Sequence, residues 1–253
     1  MIAILRLVLV AASLGADPSK PLPISAHNCY PLNGQGRERL IEALELGIDN
    51  IEIDLGWDEK TQRLIVSHDA TPRPGVVYPE FEDYLVPALE AHWRTPRPDG
   101  APTVLTIDWK TAEPRAVARF KQFLDAHPDW FSTAPKAQPS PLTARRLTVC
   151  LTGEDRAKEA YDALVPPGDP YRAFRDRVFG AGDYREDIKD YAREPASPYF
   201  RFLTLHWGNI ERGGPPRAGE WTAEEAARLK GLVAHTHQQG YRLRFYCLVV
   251  PSP

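Results

Sequence analysis

The 253-residue chain has few cysteines, no excess of positive charge and no long apolar run. Its three cysteines, Cys29, Cys150 and Cys247, allow at most one bridge, so no disulfide framework holds the fold. The formal net charge of −3 offers no basic field for a phosphate backbone, which argues against nucleic-acid binding. The apolar segment at residues 2–14 is shorter than the roughly 20 residues that cross a bilayer, and no later segment qualifies.

What is present is the composition of one soluble globular domain, with 43% hydrophobic and 26% charged residues. We predict that residues 22–253 form this domain. Small residues follow the N-terminal apolar run before a polar stretch, which predicts a signal peptide at residues 1–16 and export to the periplasm or the exterior. Because Arg6 lies inside the run rather than ahead of it, a first strand or an amphipathic helix is the alternative.

Short β-branched runs alternate with stretches of helical period, which is typical of βα units around a parallel sheet. This pattern predicts an α/β fold of the TIM-type (β/α) barrel class, with helices at Gly36–Leu46, Glu113–Ala126 and Trp221–Gln239. Seven strands are predicted, at Pro23–Asn28, Asn50–Gly56, Thr103–Trp109, Arg146–Thr152, Arg177–Phe179, Phe200–Trp207 and Arg242–Val249. Since no eighth βα unit follows the seventh strand, we expect a barrel that is incomplete at the C-terminus.

Three of the predicted strands direct polar side chains to one face. In the second strand, Glu52 and Asp54 alternate with aliphatic residues and therefore share a face. The same alternation places Asp108 and Lys110 together on the third strand and His27 at the end of the first. In a barrel, these side chains would meet at the carboxyl ends of the strands.

Carboxylates that are buried together need a counter-charge, because desolvation and mutual repulsion disfavour them. Glu52, Asp54 and Asp108 offer only oxygen ligands, which suit one divalent cation, Mg²⁺ or Ca²⁺. Lys110 is placed to hold a phosphoryl oxygen, and His27 and His68 titrate in the range needed for acid–base catalysis. Each residue alone has an ordinary structural explanation, and their agreement on one face is what favours metal-assisted phosphodiester cleavage.

Four motifs occur in a fixed order: His27-Asn28, Glu52-Ile53-Asp54, Ser67-His68-Asp69 and Asp108-Trp109-Lys110-Thr111. This order resembles the phospholipase C-like phosphodiesterase superfamily, which includes the glycerophosphodiester phosphodiesterases and the phospholipase D enzymes of spider venom. The match extends from about residue 24 to residue 111, with weaker similarity at Leu205–Gly208 and Gly240–Tyr246.

The resemblance implies a metal-dependent phosphoric diester hydrolase that cleaves a glycerophosphodiester or a phospholipid headgroup. It implies His27 and His68 as the acid–base pair, and Glu52, Asp54 and Asp108 as ligands of one Mg²⁺ or Ca²⁺. Substrate-binding residues are then expected at Lys110, Asn28, Trp207 and Arg244. The expected partner is a small-molecule or lipid phosphodiester. A transient contact with a membrane surface stays open, and no obligate protein partner is evident.

The sequence departs from the family pattern at the residue after the first histidine. Classical glycerophosphodiesterases have Arg-Gly there, whereas this chain has Asn28-Cys29, so an expected phosphate-binding arginine is missing. Arg73, in the loop after His68, is a candidate replacement. The rival hypothesis is a catalytically inactive barrel that binds a phosphorylated ligand or a protein partner. Glycoside hydrolysis is disfavoured, because neighbouring same-face carboxylates on one strand do not straddle a sugar bond.

Overall fold

The computed structural model describes residues 25–31, 38–94, 102–137, 140–212 and 221–247. These residues fall into two compact units, the first ending at Phe174 and the second beginning at Arg175. The predicted signal peptide at residues 1–16 lies outside the described residues. Among the described residues, no helix has the length and apolar character of a membrane span.

The first unit contains a parallel sheet with one antiparallel addition. Its parallel strands run in the order β1-β2-β4-β6, and β3 pairs antiparallel with β2 as a hairpin. The strands are β1 (Ser25–Ala26), β2 (Asn50–Asp58), β3 (Arg63–Val66), β4 (Thr103–Trp109) and β6 (Leu147–Gly153). A separate two-stranded sheet pairs β5 (Ala134–Pro135) with β7 (Pro170–Tyr171).

Four helices connect the strands of this unit and cover the apolar face of the sheet. They are α1 (Glu38–Glu45), α2 (Phe81–His92), α3 (Pro114–Ala126) and α4 (Asp155–Leu164). Trp109 at the end of β4 meets Phe120 of α3 edge to face at 5.4 Å, and Phe120 is in turn close to Phe81 of α2. Because successive side chains of a strand point to opposite faces, the packing of Trp109 on α3 turns Asp108 to the other face.

The second unit contains the parallel strands β8 (Ala173–Phe179), β9 (Phe200–His206) and β10 (Arg242–Tyr246), in that order. The first two residues of β8 belong to the first unit. Helix α5 (Ala223–Gln238) begins at a capping box formed by Thr222 and Glu225. Short 3₁₀ helices occur at Ile188–Tyr191 and Trp207–Asn209. Leu203, Leu205 and Leu232 lie at the centre of the unit's hydrophobic core.

The α/β class is confirmed, with parallel strands and intervening helices as in a TIM-type barrel. All seven predicted strands have a counterpart in the described residues: β1, β2, β4, β6, β8, β9 and β10. The fifth strand begins at Ala173 instead of Arg177, because Ala173 and Phe174 are buried strand residues whose pattern is not β-branched. All three cysteines are free thiols, so no bridge forms.

Candidate metal centre

Three carboxylates converge near the point where the parallel pairing of β2 with β4 ends. Asp54 pairs with Asp108 across the two parallel strands, and Glu52 lies two residues earlier on the same face of β2. One oxygen from each of Glu52, Asp54 and Asp108 lies within 4.8 Å of the others. Glu52 and Asp54 are buried, so the strand register alone concentrates negative charge where water is scarce.

Lys110 contacts two carboxylates of this cluster. Its Nζ lies 2.8 Å from Asp108 Oδ2 and 3.2 Å from Asp54 Oδ2. Burial alone would lower the pKa of Lys110, but the hydrogen bonds and charges of Asp108 and Asp54 outweigh it and raise that pKa. Lys110 is therefore a firmly protonated ammonium, and it bridges two of the three carboxylates.

Asp54 is the most constrained of the three acids. Burial raises its pKa and nearby Asp108 adds to the shift, while Lys110 and Tyr30 oppose it. Lys110 and the Tyr30 hydroxyl both donate to Oδ2, the latter at 3.0 Å. Oδ1 is buried and has no hydrogen-bond partner among the described residues. A buried oxygen with this environment is suited to a cation.

Tyr30 keeps its proton and therefore acts as a donor toward Asp54. Burial raises the pKa of this phenol, and the charge of Asp54 together with the hydrogen bond raises it further. The sequence prediction did not include Tyr30. Its only signal was its place three residues after His27, which does not specify where the ring points.

His27 contacts the cluster from the end of β1. Its Nε2 lies 3.0 Å from Glu52 Oε1, and the side chain is 67% exposed. The next residue, Asn28, has a φ of 55°, which lies in the left-handed region. The Cys29 amide then donates to the Glu52 carbonyl at 2.9 Å, so the chain stays attached to β2 while it turns, and the imidazole is left accessible.

His68 is exposed and lies directly after a tight attachment of the hairpin to β2. The Ser67 amide donates to the Asp54 carbonyl at 3.0 Å, and Ser67 Oγ accepts from the Asp69 amide at 2.9 Å. The backbone next to His68 is thereby fixed beside Asp54 of β2. In the same loop, Arg73 Nε lies 2.8 Å from Asp69 Oδ2, so the candidate replacement for the missing arginine is paired within its own loop.

Gly153, the last residue of β6, leaves room for Asp108. Its φ is +78°, and a Cβ at this position would overlap Asp108 Oδ1 and the backbone of Trp109. Only glycine tolerates both the dihedral angle and the close approach. The sequence prediction missed this residue, because a close approach between strand ends cannot be inferred from a single glycine.

Trp207 and Arg244, predicted to bind substrate, lie in the second unit. Trp207 is buried, its Nε1 donates to Glu211 Oε2 at 3.0 Å, and its ring stacks on Trp221. Arg244 is half-buried on β10, and burial lowers its pKa to about 10. Their role toward a substrate stays a prediction.

The donor set fits a divalent cation that prefers oxygen. Three carboxylates supply hard oxygen ligands, and Asp54 Oδ1 is a buried oxygen with no hydrogen bond among the described residues. Lys110 and Tyr30 occupy Oδ2 of Asp54 and leave Oδ1 available. We therefore describe Glu52, Asp54 and Asp108 as a candidate metal centre.

No protein-family model matches the chain, and no curated protein matches it. Solved structures do. The chain is similar to glycerophosphodiester phosphodiesterases. A glycerophosphodiester phosphodiesterase from Agrobacterium tumefaciens matches with 14% identity and a TM-score of 0.44, covering 88% of this chain and 85% of that one.

Two further solved structures are similar to this chain. A glycerophosphodiester phosphodiesterase from Thermotoga maritima matches with 14% identity and a TM-score of 0.42, covering 85% of this chain and 79% of that one. A phosphodiesterase from Oleispira antarctica, in complex with the product sn-glycerol-3-phosphate, matches with 15% identity and a TM-score of 0.43, covering 82% of this chain and 85% of that one.

Proposed function

We propose that this chain is a metal-dependent phosphodiesterase that cleaves a glycerophosphodiester or a phospholipid headgroup. The observation that carries the proposal is the carboxylate cluster of Glu52, Asp54 and Asp108, joined by Lys110 and contacted by His27. Acid, base, cation ligands and an anion-binding ammonium are the groups that this reaction needs.

Glu52, Asp54 and Asp108 would hold one Mg²⁺ or Ca²⁺. When bound, such a cation neutralises charge that develops on the phosphoryl oxygens. Lys110 adds a fixed positive charge next to the same carboxylates, and it would pair with a phosphoryl oxygen as a point charge. Asn28, next to His27, is proposed to contact the substrate beside it. Trp207 and Arg244 remain proposed substrate contacts in the second unit.

Proton transfer is assigned to His27 and His68. Nε2 of His27 contacts Glu52, and the side chain is 67% exposed, which supports proton exchange between this imidazole and the substrate. Glu52 also holds the orientation of the ring, as a carboxylate partner does for a catalytic imidazole. One histidine takes the proton from the attacking oxygen, and the other gives a proton to the leaving group.

The proposed setting is export. The apolar run at residues 2–14 and the small residues after it support removal of residues 1–16 during secretion. Expression of the full chain in a bacterial host, followed by N-terminal sequencing of the extracellular and periplasmic fractions, tests this proposal. A mature protein that starts near residue 17 supports it, and an intact Met1 in the cytoplasm contradicts it.

A cleavage assay tests the activity. The metal-stripped chain is incubated with glycerophosphodiesters, lysophospholipids and sphingomyelin, with Mg²⁺, Ca²⁺ or EDTA, and products are identified by ³¹P NMR. We expect cleavage that requires a cation. The spectra separate a phosphomonoester, made by attack of water, from a cyclic phosphate, made by attack of a substrate hydroxyl. The absence of cation-dependent cleavage across the panel would contradict the proposal.

The paired variant His27→Asn, His68→Asn separates an enzyme from a binding protein. We expect turnover to be lost, because both proton-transfer groups are removed. Binding of inorganic phosphate to the same variant, measured by calorimetry, serves as the control for an intact site. If the wild-type chain binds phosphate but cleaves nothing, the inactive-barrel hypothesis is the better account.

A further inference from the structure

Tyr30 contacts the candidate metal centre through a single oxygen. Its ring is buried, and its hydroxyl donates to Asp54 Oδ2 at 3.0 Å. Lys110 Nζ lies 3.2 Å from the same oxygen. Two donors on Oδ2 and none among the described residues on Oδ1 fix which carboxylate oxygen faces a ligand.

The backbone before Tyr30 is held by hydrogen bonds with three elements, β2, α2 and α1. The Cys29 amide donates to the Glu52 carbonyl at 2.9 Å, and the Cys29 carbonyl accepts from the Tyr84 hydroxyl of α2 at 2.8 Å. Arg39 of α1 donates to the Asn28 carbonyl at 3.3 Å. These bonds fix Cys29 and the left-handed Asn28 before it. The Tyr30 side chain is therefore held both at its backbone and, through the bond to Asp54, at its hydroxyl.

We infer that Tyr30 is a positioning residue that orients Asp54 toward a divalent cation, an inference that rests on the proposed function of Asp54 as a ligand. A carboxylate ligand needs a second contact to hold its plane, and loss of such a contact typically weakens metal binding by about 10–100-fold. Lys110 alone cannot hold the plane of Asp54 in the same way, because it is shared with Asp108.

The test is Tyr30→Phe, which removes the hydroxyl and keeps the ring. Mg²⁺ and Ca²⁺ are titrated separately into the metal-stripped full chain by calorimetry. We expect the dissociation constant of the variant to rise about 10–100-fold. The matched control is Tyr161→Phe, which removes another buried hydroxyl of the first unit, one that accepts from the Arg172 and Ala173 amides. We expect this control to lose stability but to keep the wild-type affinity.

Each outcome has a definite meaning. Equal affinity of wild type and Tyr30→Phe overturns the inference, as does an equal weakening in Tyr161→Phe, because the effect would then be general destabilisation. If the wild type binds neither cation, the proposed function fails together with the inference. If Tyr30→Phe does not fold, Tyr84→Phe takes its place, since it removes the hydrogen bond to the Cys29 carbonyl next to Tyr30. A several-fold loss of affinity then supports the inference, and unchanged affinity overturns it.

Discussion

The strand ends of the two units carry different chemistry on the same architecture. In the first unit, the carboxylate cluster and Lys110 lie where the parallel pairing of β2 with β4 ends. In the second, β9 and β10 end in aromatic rings: His206 meets Tyr246 edge to face at 5.3 Å, and Trp207 stacks on Trp221 at 5.7 Å. Parallel strands of the two units therefore carry different chemistry, which their side chains determine.

The two groups of side chains also differ in whether they are stable without a ligand. Aromatic rings that pack on one another stabilise themselves without a ligand. Carboxylates that lie together do not, because burial and repulsion disfavour their charges. Lys110 contacts Asp54 and Asp108, and we propose that a divalent cation adds the positive charge that three clustered carboxylates need. We therefore propose that the cation binds in the first unit.

The largest expected effect is the loss of cation binding by the first unit. Asp54→Asn removes one ligand charge and replaces one carboxylate oxygen with an amide NH₂, which can neither bind a cation nor accept from Tyr30. At a cation concentration of about 100 times the dissociation constant, the wild type should gain about 3 kcal/mol, which raises the Tm by roughly 5–10 °C. We expect Asp54→Asn to lose this rise and about 1,000-fold in activity, since several kcal/mol of charge stabilisation is removed.

The control for that variant comes from the second unit. Asp176 is a buried aspartate on β8, and Asp176→Asn should lower the Tm while leaving the cation-induced rise intact. Differential scanning fluorimetry with and without Mg²⁺ or Ca²⁺ measures both variants. A cation-induced rise that survives in Asp54→Asn, or disappears in Asp176→Asn, would reverse the assignment.

The next effect concerns the backbone of the first unit. In Gly153→Ala, the φ of +78° strains the residue, and the new Cβ overlaps Asp108 and Trp109. Gly47→Ala has a similar φ of +66° with no atom within 4 Å, so it carries the strain without the overlap. We expect Gly47→Ala to lose about 1–2 kcal/mol and Gly153→Ala about 1–3 kcal/mol more, measured by urea unfolding. Equal losses would show that Asp108 moves away without cost.

A smaller loss of stability is expected when the aromatic pair of the second unit is removed. Trp221 is 38% exposed and stacks on buried Trp207. We expect Trp221→Ala to cost about 1 kcal/mol, as one aromatic pair is lost, and to leave the cation-induced Tm rise unchanged. The same two fluorimetry scans measure this. A reduced cation effect would contradict the separation between the charged and the aromatic strand ends.

The smallest effect is a difference in thiol reactivity. Burial raises the pKa of Cys29 to about 12, with Arg39 opposing the shift, so its thiolate is scarce at pH 8 and appears only as the pH approaches that value. Cys150 is also buried, and Cys247 is exposed. We expect iodoacetamide at pH 8 to label one thiol in the folded protein and three in urea, as counted by mass spectrometry. Rapid labelling of Cys29 would show that the segment before Tyr30 is open.

The convergence of Glu52, Asp54 and Asp108 could be predicted because strand alternation is strict. Aliphatic neighbours on β2 and Trp109 on β4 fix one face of each strand, and the acids necessarily take the other. The register that sets Asp54 opposite Asp108 does not follow from alternation, because a shift of two residues would keep each side chain on the same face. The seven strands were predictable for another reason, namely that β-branched runs alternate with stretches of helical period.

Tyr30 and Gly153 could not be predicted, for different physical reasons. Tyr30 follows Asn28, whose φ of 55° breaks the alternation on which the prediction depended. Gly153 matters through a contact between two strand ends that are far apart in sequence. Both depend on three-dimensional placement that periodicity does not encode. The division of the described residues at Phe174 also left no compositional signal.

The measurement that tests the central claim most directly is a crystal structure of the chain grown with Mn²⁺, which substitutes for Mg²⁺ at oxygen sites, with data collected at the manganese edge. We expect one anomalous peak about 2.0–2.6 Å from an oxygen of each of Glu52, Asp54 and Asp108. A peak elsewhere, or no peak at this cluster at saturating Mn²⁺, would contradict the assignment of the first unit as a metal-binding centre.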